Sequence, residues 1–234
     1  MPERLDLDRP RDFRELLEET VALWPRHLSV FVVLAAIVVV PFGLLVRPLD
    51  ADTVPGALAT LLAQAFVVPS LVTAAHVAAV EELGRGRRPT VRGSIARALP
   101  VALPVLGATA IYLAGIVAGL ALLVLPGLWF SVTGYFAPQA AVVERLGPIA
   151  AVRRSVALVR SWWVRVLGIA VAFNVLGGFV IGVVVTLLGE VVTGDAAETA
   201  LALTFDTLMA SFTALVATLL FFDLRARDPA TQVE

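Results

Sequence analysis

Five stretches of the chain carry no formal charge: residues 27 to 46, 53 to 80, 98 to 143, 166 to 189 and 207 to 222. Each reads as membrane-crossing. The third is about twice the roughly 20 residues that one helix needs, so it reads as two helices that break and turn at Pro126-Gly127. The pattern predicts an all-α integral membrane protein, a six-helix bundle with spans over 28 to 46, 57 to 80, 99 to 123, 128 to 143, 163 to 188 and 200 to 222. Pro41, Pro69, Pro100, Pro104 and Pro138 fall in or at the ends of spans. Neighbouring helices and polar side chains take up the freed backbone groups there, so kinks are expected and not breaks.

Polar segments at the span ends show a second periodicity. Residues 12 to 25 place Phe13, Leu16, Leu17, Thr20, Val21 and Trp24 on one side of a helix and Glu15, Glu18 and Glu19 on another, and Asp12 with Glu15 suits a capping box. After span 4, Pro148 can open a helix in which Ile149, Val152, Val156, Val159 and Trp163 form an apolar stripe. Both read as amphipathic interfacial helices on the cytoplasmic side. The organisation is then a cytoplasmic N-terminal helix over 1 to 27, a six-span membrane domain over 28 to 223 and a cytoplasmic tail over 224 to 234.

An interfacial segment, a span out, a short turn and a span back recur over 12 to 80, 89 to 143 and 148 to 222. Val54-Pro55-Gly56 and Leu125-Pro126-Gly127 open two return helices 71 positions apart. Either three parallel helical-hairpin repeats or convergence of common residue types accounts for this.

Composition agrees with lipid as the solvent. Apolar residues make up 59% of the chain, and mean hydropathy is +0.91, which would leave a water-soluble globule with far too much exposed apolar surface. There is no cysteine, which excludes disulfides, iron–sulfur clusters and thiolate zinc sites. All 18 basic residues are Arg, and with a cytoplasmic N-terminus every one except Arg47 falls on the cytoplasmic side. Positive-inside logic therefore puts both termini there. The stretch from Met1 to Arg26 has no signal-peptide core, so span 1 is expected to direct insertion.

Candidate chemistry is sparse. Gln64, Tyr135 and Asp206 lie 71 positions apart twice over, each about seven residues, roughly 10 Å, into its return helix as delimited above. An ionised Asp at that depth costs a few kcal/mol on insertion scales, so Asp206 should face the bundle interior. These three either form a satisfied polar layer that fixes helix register or line a polar cavity or cation site. Arg153, Arg154 and Arg160 suit anionic lipid headgroups or a protein partner, each Arg near a surface adding on the order of 1 kcal/mol. Alternatively Arg154 pairs with Glu144 and pins the helix beneath span 4.

Gly115 with Gly119 and Gly178 with Gly182 form small faces suited to packing inside the bundle. Asn174 is expected to bond to a neighbouring helix, His76 to be satisfied near an aqueous interface, and Trp24, Trp162 and Trp163 to join an aromatic belt. His-Glu-x-x-His, Gly-x-Ser-x-Gly and P-loop patterns are absent, and no residue is assigned a catalytic, metal-binding or cofactor role.

Leu125-Pro126-Gly127-Leu128, Pro138, Glu144, Gly147-Pro148, Ala151, Arg154-Ser155 and Leu158, with Phe222-Asp223-Leu224-Arg225 near the C-terminus, give the chain a resemblance to a known family. It resembles the membrane domain attached to some bacterial glycerophosphoryl diester phosphodiesterases. The likeness is distinctive over 125 to 158. It implies a six-span bacterial inner-membrane module. That family's catalytic barrel carries a His-Arg-Gly motif, whereas His27 is followed here by Leu28 and His76 by Val77. Phosphodiesterase activity is therefore not expected. The sequence favours a non-enzymatic accessory or scaffold module that binds membrane lipids or a protein partner and no nucleic acid. The competing class is a small transporter or channel with a polar site around Asp206.

Overall fold

The computed structural model describes residues 5–46, 53–189 and 194–228, and every regular element among them is helical. Helix α1 (Phe13–Arg26) starts on a reciprocal cap: the Glu15 N–H donates to Asp12 Oδ1 at 2.7 Å and the Asp12 N–H to Glu15 Oε2 at 2.9 Å. It buries Leu16 and Thr20 but leaves Phe13 and Val21 exposed, so its inward stripe is narrower than predicted. Helix α2 (Leu28–Val46) buries Phe31, Leu34, Ala35, Val39, Gly43 and Val46, one face at spacings of 1, 3 and 4.

The chain returns through α3 (Val54–Leu62), a π-turn over Ala63–Val67 and α4 (Val68–Gly84). Pro69 accounts for the irregular turn, because it has no N–H for the carbonyl four residues earlier. A short helix α5 (Val91–Ala98), whose Gly93 N–H is capped by Thr90 Oγ1 at 3.2 Å, runs through a 3₁₀ turn into α6 (Ala102–Leu122).

The next reversal corrects the sequence expectation. It falls at Leu123, which is extended (φ −164°, ψ 152°), and α7 (Val124–Thr133) begins before Pro126. Pro126 lies in the first turn, where its missing N–H leaves no bond unmade. Gly127 lets the two arms touch: a Cβ there would lie 2.7 Å from the Leu120 nitrogen.

A further break separates α7 from α8 (Ala137–Val143), at residues 134–136. Pro138 removes the N–H that the Gly134 carbonyl would otherwise receive, and that carbonyl takes the Ala137 N–H instead, at 3.0 Å. The kink expected at Pro138 is thus a break. Helices α9 (Pro148–Val159), α10 (Trp163–Gly189) and α11 (Asp195–Arg227) complete the described chain.

Five helical runs are long and apolar enough to cross a membrane: Leu28–Val46, Gln64–Gly84, Val91–Leu122, Trp163–Gly189 and Asp195–Arg227. They fit a multi-pass membrane protein. Neither α7 nor α8 alone reaches crossing length, so the predicted span over 128 to 143 is not one helix. The apolar window of α11 is 72% buried, against 17% for α10, which places α11 inside the bundle and α10 on its outside. Helix α11 packs on α1, α2, α4, α9 and α10, while α10 turns Val171, Val175, Phe179 and Leu187 outward.

Small residues and polar chains fix these contacts. Gly115 faces Phe130 and Gly119 faces Gly127, so that pair serves its own hairpin. In α10 the close approach is made by Gly177 against Phe212, where a Cβ would meet the ring at 2.7 Å. Gly178 and Gly182 make only ordinary contacts. His76 is fully buried, a correction to its expected place near water. Its ring stacks on Phe31, and Nδ1 lies 2.9 Å from the Val72 carbonyl, which must receive the proton. Nε2 is then the acceptor for the Ser211 hydroxyl at 3.3 Å, and Ser211 in turn accepts from Trp24 Nε1 at 3.1 Å. Trp24 therefore points into the bundle and not into a lipid belt.

The charged end of the bundle is tied by Asp223, which is fully buried. Its Oδ1 accepts from the Arg11 N–H at 2.6 Å and from Arg227 Nε at 3.0 Å, and its Oδ2 from Arg165 Nη2 at 3.2 Å. Arg11, also fully buried, donates from Nε to Glu19 Oε2 at 2.6 Å. One carboxylate thus joins the N-terminal segment, the start of α10 and the end of α11. Replacing Asp223 by Ala should lower stability by about 3 kcal/mol, since it strands buried donors. Thermal unfolding in detergent is expected to show this, with the exposed Arg14→Ala variant unchanged.

Candidate functional site

Three return segments bring Gln64, Tyr135 and Asp206 to one place. Gln64 sits in the π-turn before α4, Tyr135 in the break between α7 and α8, and Asp206 in the unbroken α11. All three line one cavity of about 330 Å³. Asp206 lies 11 residues from the start of α11, about 17 Å at a helical rise, deeper than the seven residues expected. The lining continues along α11 through Met209, Ala210, Thr213, Ala214 and Ala217. Helices α2, α4, α6 and α8 supply the facing walls.

The two proline-induced irregularities position two of these residues. On the α4 side, Ser70 Oγ lies 2.6 Å from the Phe66 carbonyl and 2.8 Å from Thr109 Oγ1, so a hydroxyl enters the distorted turn. On the α8 side, Ser155 of α9 is fully buried. Its Oγ accepts the Phe136 N–H at 3.0 Å and donates to the Thr133 carbonyl at 2.7 Å. This bridges the break on which Tyr135 sits. Gly134 adds room for a wall residue, because a Cβ there would lie 2.6 Å from the Tyr112 ring, and the Tyr112 hydroxyl donates to the Ser131 carbonyl at 2.7 Å.

Sequence reasoning missed Gln139. It lines the cavity one helical turn beyond Tyr135, is 2% exposed, and its Oε1 has no hydrogen-bond partner among the described residues. The spacing of four from Tyr135 was the available signal. Chemically, the cavity offers one carboxylate, an unpartnered amide oxygen and several hydroxyls, above an apolar floor that includes Val39, Val72 and Ala214.

Arg153, Arg154 and Arg160 do not join this site. Arg154 Nε lies 2.9 Å from both Glu144 oxygens, and its Nη1 lies 2.5 Å from Asp228 Oδ2, which ties α9 to the ends of α8 and α11. Arg153 and Arg160 are exposed and make no ion pair among the described residues. The buried face of α9 is Ala151, Val152, Ser155, Leu158 and Val159, so it is rotated from the predicted stripe and leaves Ile149 outside. Asn174 donates to Ala170 of its own helix at 2.8 Å and accepts from Thr213 of α11 at 3.4 Å.

No family model, no curated protein and no solved structure matches this chain. Nothing among them links it to the phosphodiesterase-attached membrane domain.

Ser155→Ala should leave the Phe136 N–H buried without a partner and cost about 2 kcal/mol. The expected readout is a lower thermal midpoint, with Thr204→Ala, an exposed position, as the neutral control.

Proposed function

We propose that the chain is a six-span membrane protein, with both termini cytoplasmic, whose three hairpins converge on one intramembrane solute site, and that it works as a small carrier or channel. The cavity is the observation that carries this: three polar residues from three separate return segments line it together. Helix register supports the repeat. The return segments begin at Val54, Val124 and Asp195, and Gln64, Tyr135 and Asp206 follow 10, 11 and 11 residues later. Helices α7 and α8 together run from Val124 to Val143, about the length of one crossing, and supply the sixth span. Discontinuous return helices with polar groups at the break suit a binding site, since irregular backbone is tolerated at membrane depth only where it is buried in protein or lines a cavity.

A second reading, an accessory module on anionic lipid, is favoured by the exposed Arg153 and Arg160 alone, because Arg154 is engaged with Glu144 and Asp228. The resemblance over 125 to 158 implies a bacterial inner membrane as the setting for either reading. Both leave the chain without a catalytic role.

The cysteine-free sequence allows a direct test. In reconstituted vesicles, Ala210→Cys and Thr73→Cys are expected to react with small hydrophilic methanethiosulfonates, while the outward-facing Val175→Cys is not. A cavity cysteine as unreactive as the one at 175 would remove the solute-site reading.

A further inference from the structure

We infer that the occupant of the cavity is a small uncharged amphiphile, an apolar body bearing a hydroxyl or amide N–H, and that Gln139 recognises it by accepting that hydrogen. This rests on the solute-site reading above. The orphaned oxygen carries the inference: Gln139 lines the cavity, is 2% exposed, and its Oε1 has no donor among the described residues. A buried acceptor without a donor is destabilising, and an occupant that brings one removes the cost.

Neighbouring hydroxyls in the lining do not supply that donor. Tyr112 gives its proton to the Ser131 carbonyl at 2.7 Å and Thr109 to the Val105 carbonyl at 3.0 Å. Ser70 Oγ lies 2.6 Å from the Phe66 carbonyl, and Thr213 donates to Asn174 Oδ1 at 3.4 Å. Each of these oxygens keeps a lone pair, so this part of the wall offers acceptors while its own donors are spent. An O–H or N–H on the occupant complements such a surface, whereas an ether of the same shape does not.

Charge argues against an ion. Among the described residues of the lining Asp206 alone bears a formal charge, and it already has an interaction partner in the chain. The lining thus holds no counter-ion in reserve, and an ion taken from water into a largely apolar site without one is disfavoured. Size sets the rest. An engineered cavity of about 150 Å³ holds benzene, so 330 Å³ has room for about a dozen non-hydrogen atoms. Val39, Val72 and Ala214 receive the apolar body.

The test labels Ala210→Cys, a lining position, in the full chain in nanodiscs with the uncharged 2-hydroxyethyl methanethiosulfonate. Competitors are compared at equal concentration in the membrane. 2-Phenylethanol should slow labelling in a saturable way, and 2-phenylethyl methyl ether, which has the same body and no donor, should protect about tenfold less well. 2-Phenylethylammonium and phenylacetate should protect no better than the ether. Gln139→Leu, combined with Ala210→Cys, should abolish the preference for the alcohol over the ether, and Gln139→Met should do the same. Neither substitution should lower the thermal midpoint, because each removes a buried polar group that has no partner to lose. Equal protection by alcohol and ether, no protection by the alcohol, or stronger protection by either ion would overturn the assignment of the occupant while leaving the cavity in place. An alcohol preference that survives both substitutions would overturn the role of Gln139. A cysteine at 210 that the reagent does not modify would overturn the solute-site reading as well.

Discussion

Lipid offers no hydrogen bonds, and this constraint shapes nearly every polar residue in the bundle. Hydroxyls inside the helices bond back to their own turns: Thr20 to Leu16, Thr109 to Val105, Thr133 to Trp129, Thr207 to Leu203 and Thr218 to Ala214. The Trp24, Ser211, His76 and Val72 chain extends the same economy across three helices, each donor meeting one acceptor. Where proline removes a backbone donor, the helix changes its geometry and a serine stands nearby. Ser70 does this at the π-turn and Ser155 at the α7–α8 break. The same irregularities displace Gln64 and Tyr135 from regular helix, so the backbone cost of two prolines and the position of the site have one cause.

Charge is handled at the end of the bundle by a different device. Asp223 gathers a backbone N–H and two guanidinium groups, and Arg11 is engaged by Glu19, so the first and last described segments are closed on each other. Buried ionic groups of this kind are weak contributors to net stability and strong selectors of arrangement, because each wrong packing leaves a charge unpaired. The central placement of α11 depends on this closure as well as on apolar packing, since its other end carries Asp195 and Glu198 in the first turn and no buried residue before Leu203.

The sequence made the solvent, the helical class and the broad order of elements legible, because charge-free runs and 3.6-residue stripes are local signals. Bounds were less so. Leu123 turns the chain where Pro126-Gly127 was expected to, since proline in a first turn is compatible with the helix it opens. His76 and Trp24 were placed by their usual habitats, whereas their partner Ser211 lies 135 and 187 positions away and no local pattern announces it. Gln64, Tyr135 and Asp206 were legible through equal spacing; that they face one cavity required the packing of α2, α4, α6, α8 and α11. Asp223 was visible only as part of a resemblance, and its role emerges from contacts with residues 212 and 58 positions away.

The cavity has two chemically distinct surfaces. One side presents Gln64, Tyr135, Asp206 and Gln139, whose Oε1 has no partner among the described residues, while the other side includes the apolar Val39, Val72 and Ala214. Water would serve the first surface and waste the second; a chain of methylenes would do the reverse. A solute site of the kind proposed above would use both surfaces at once.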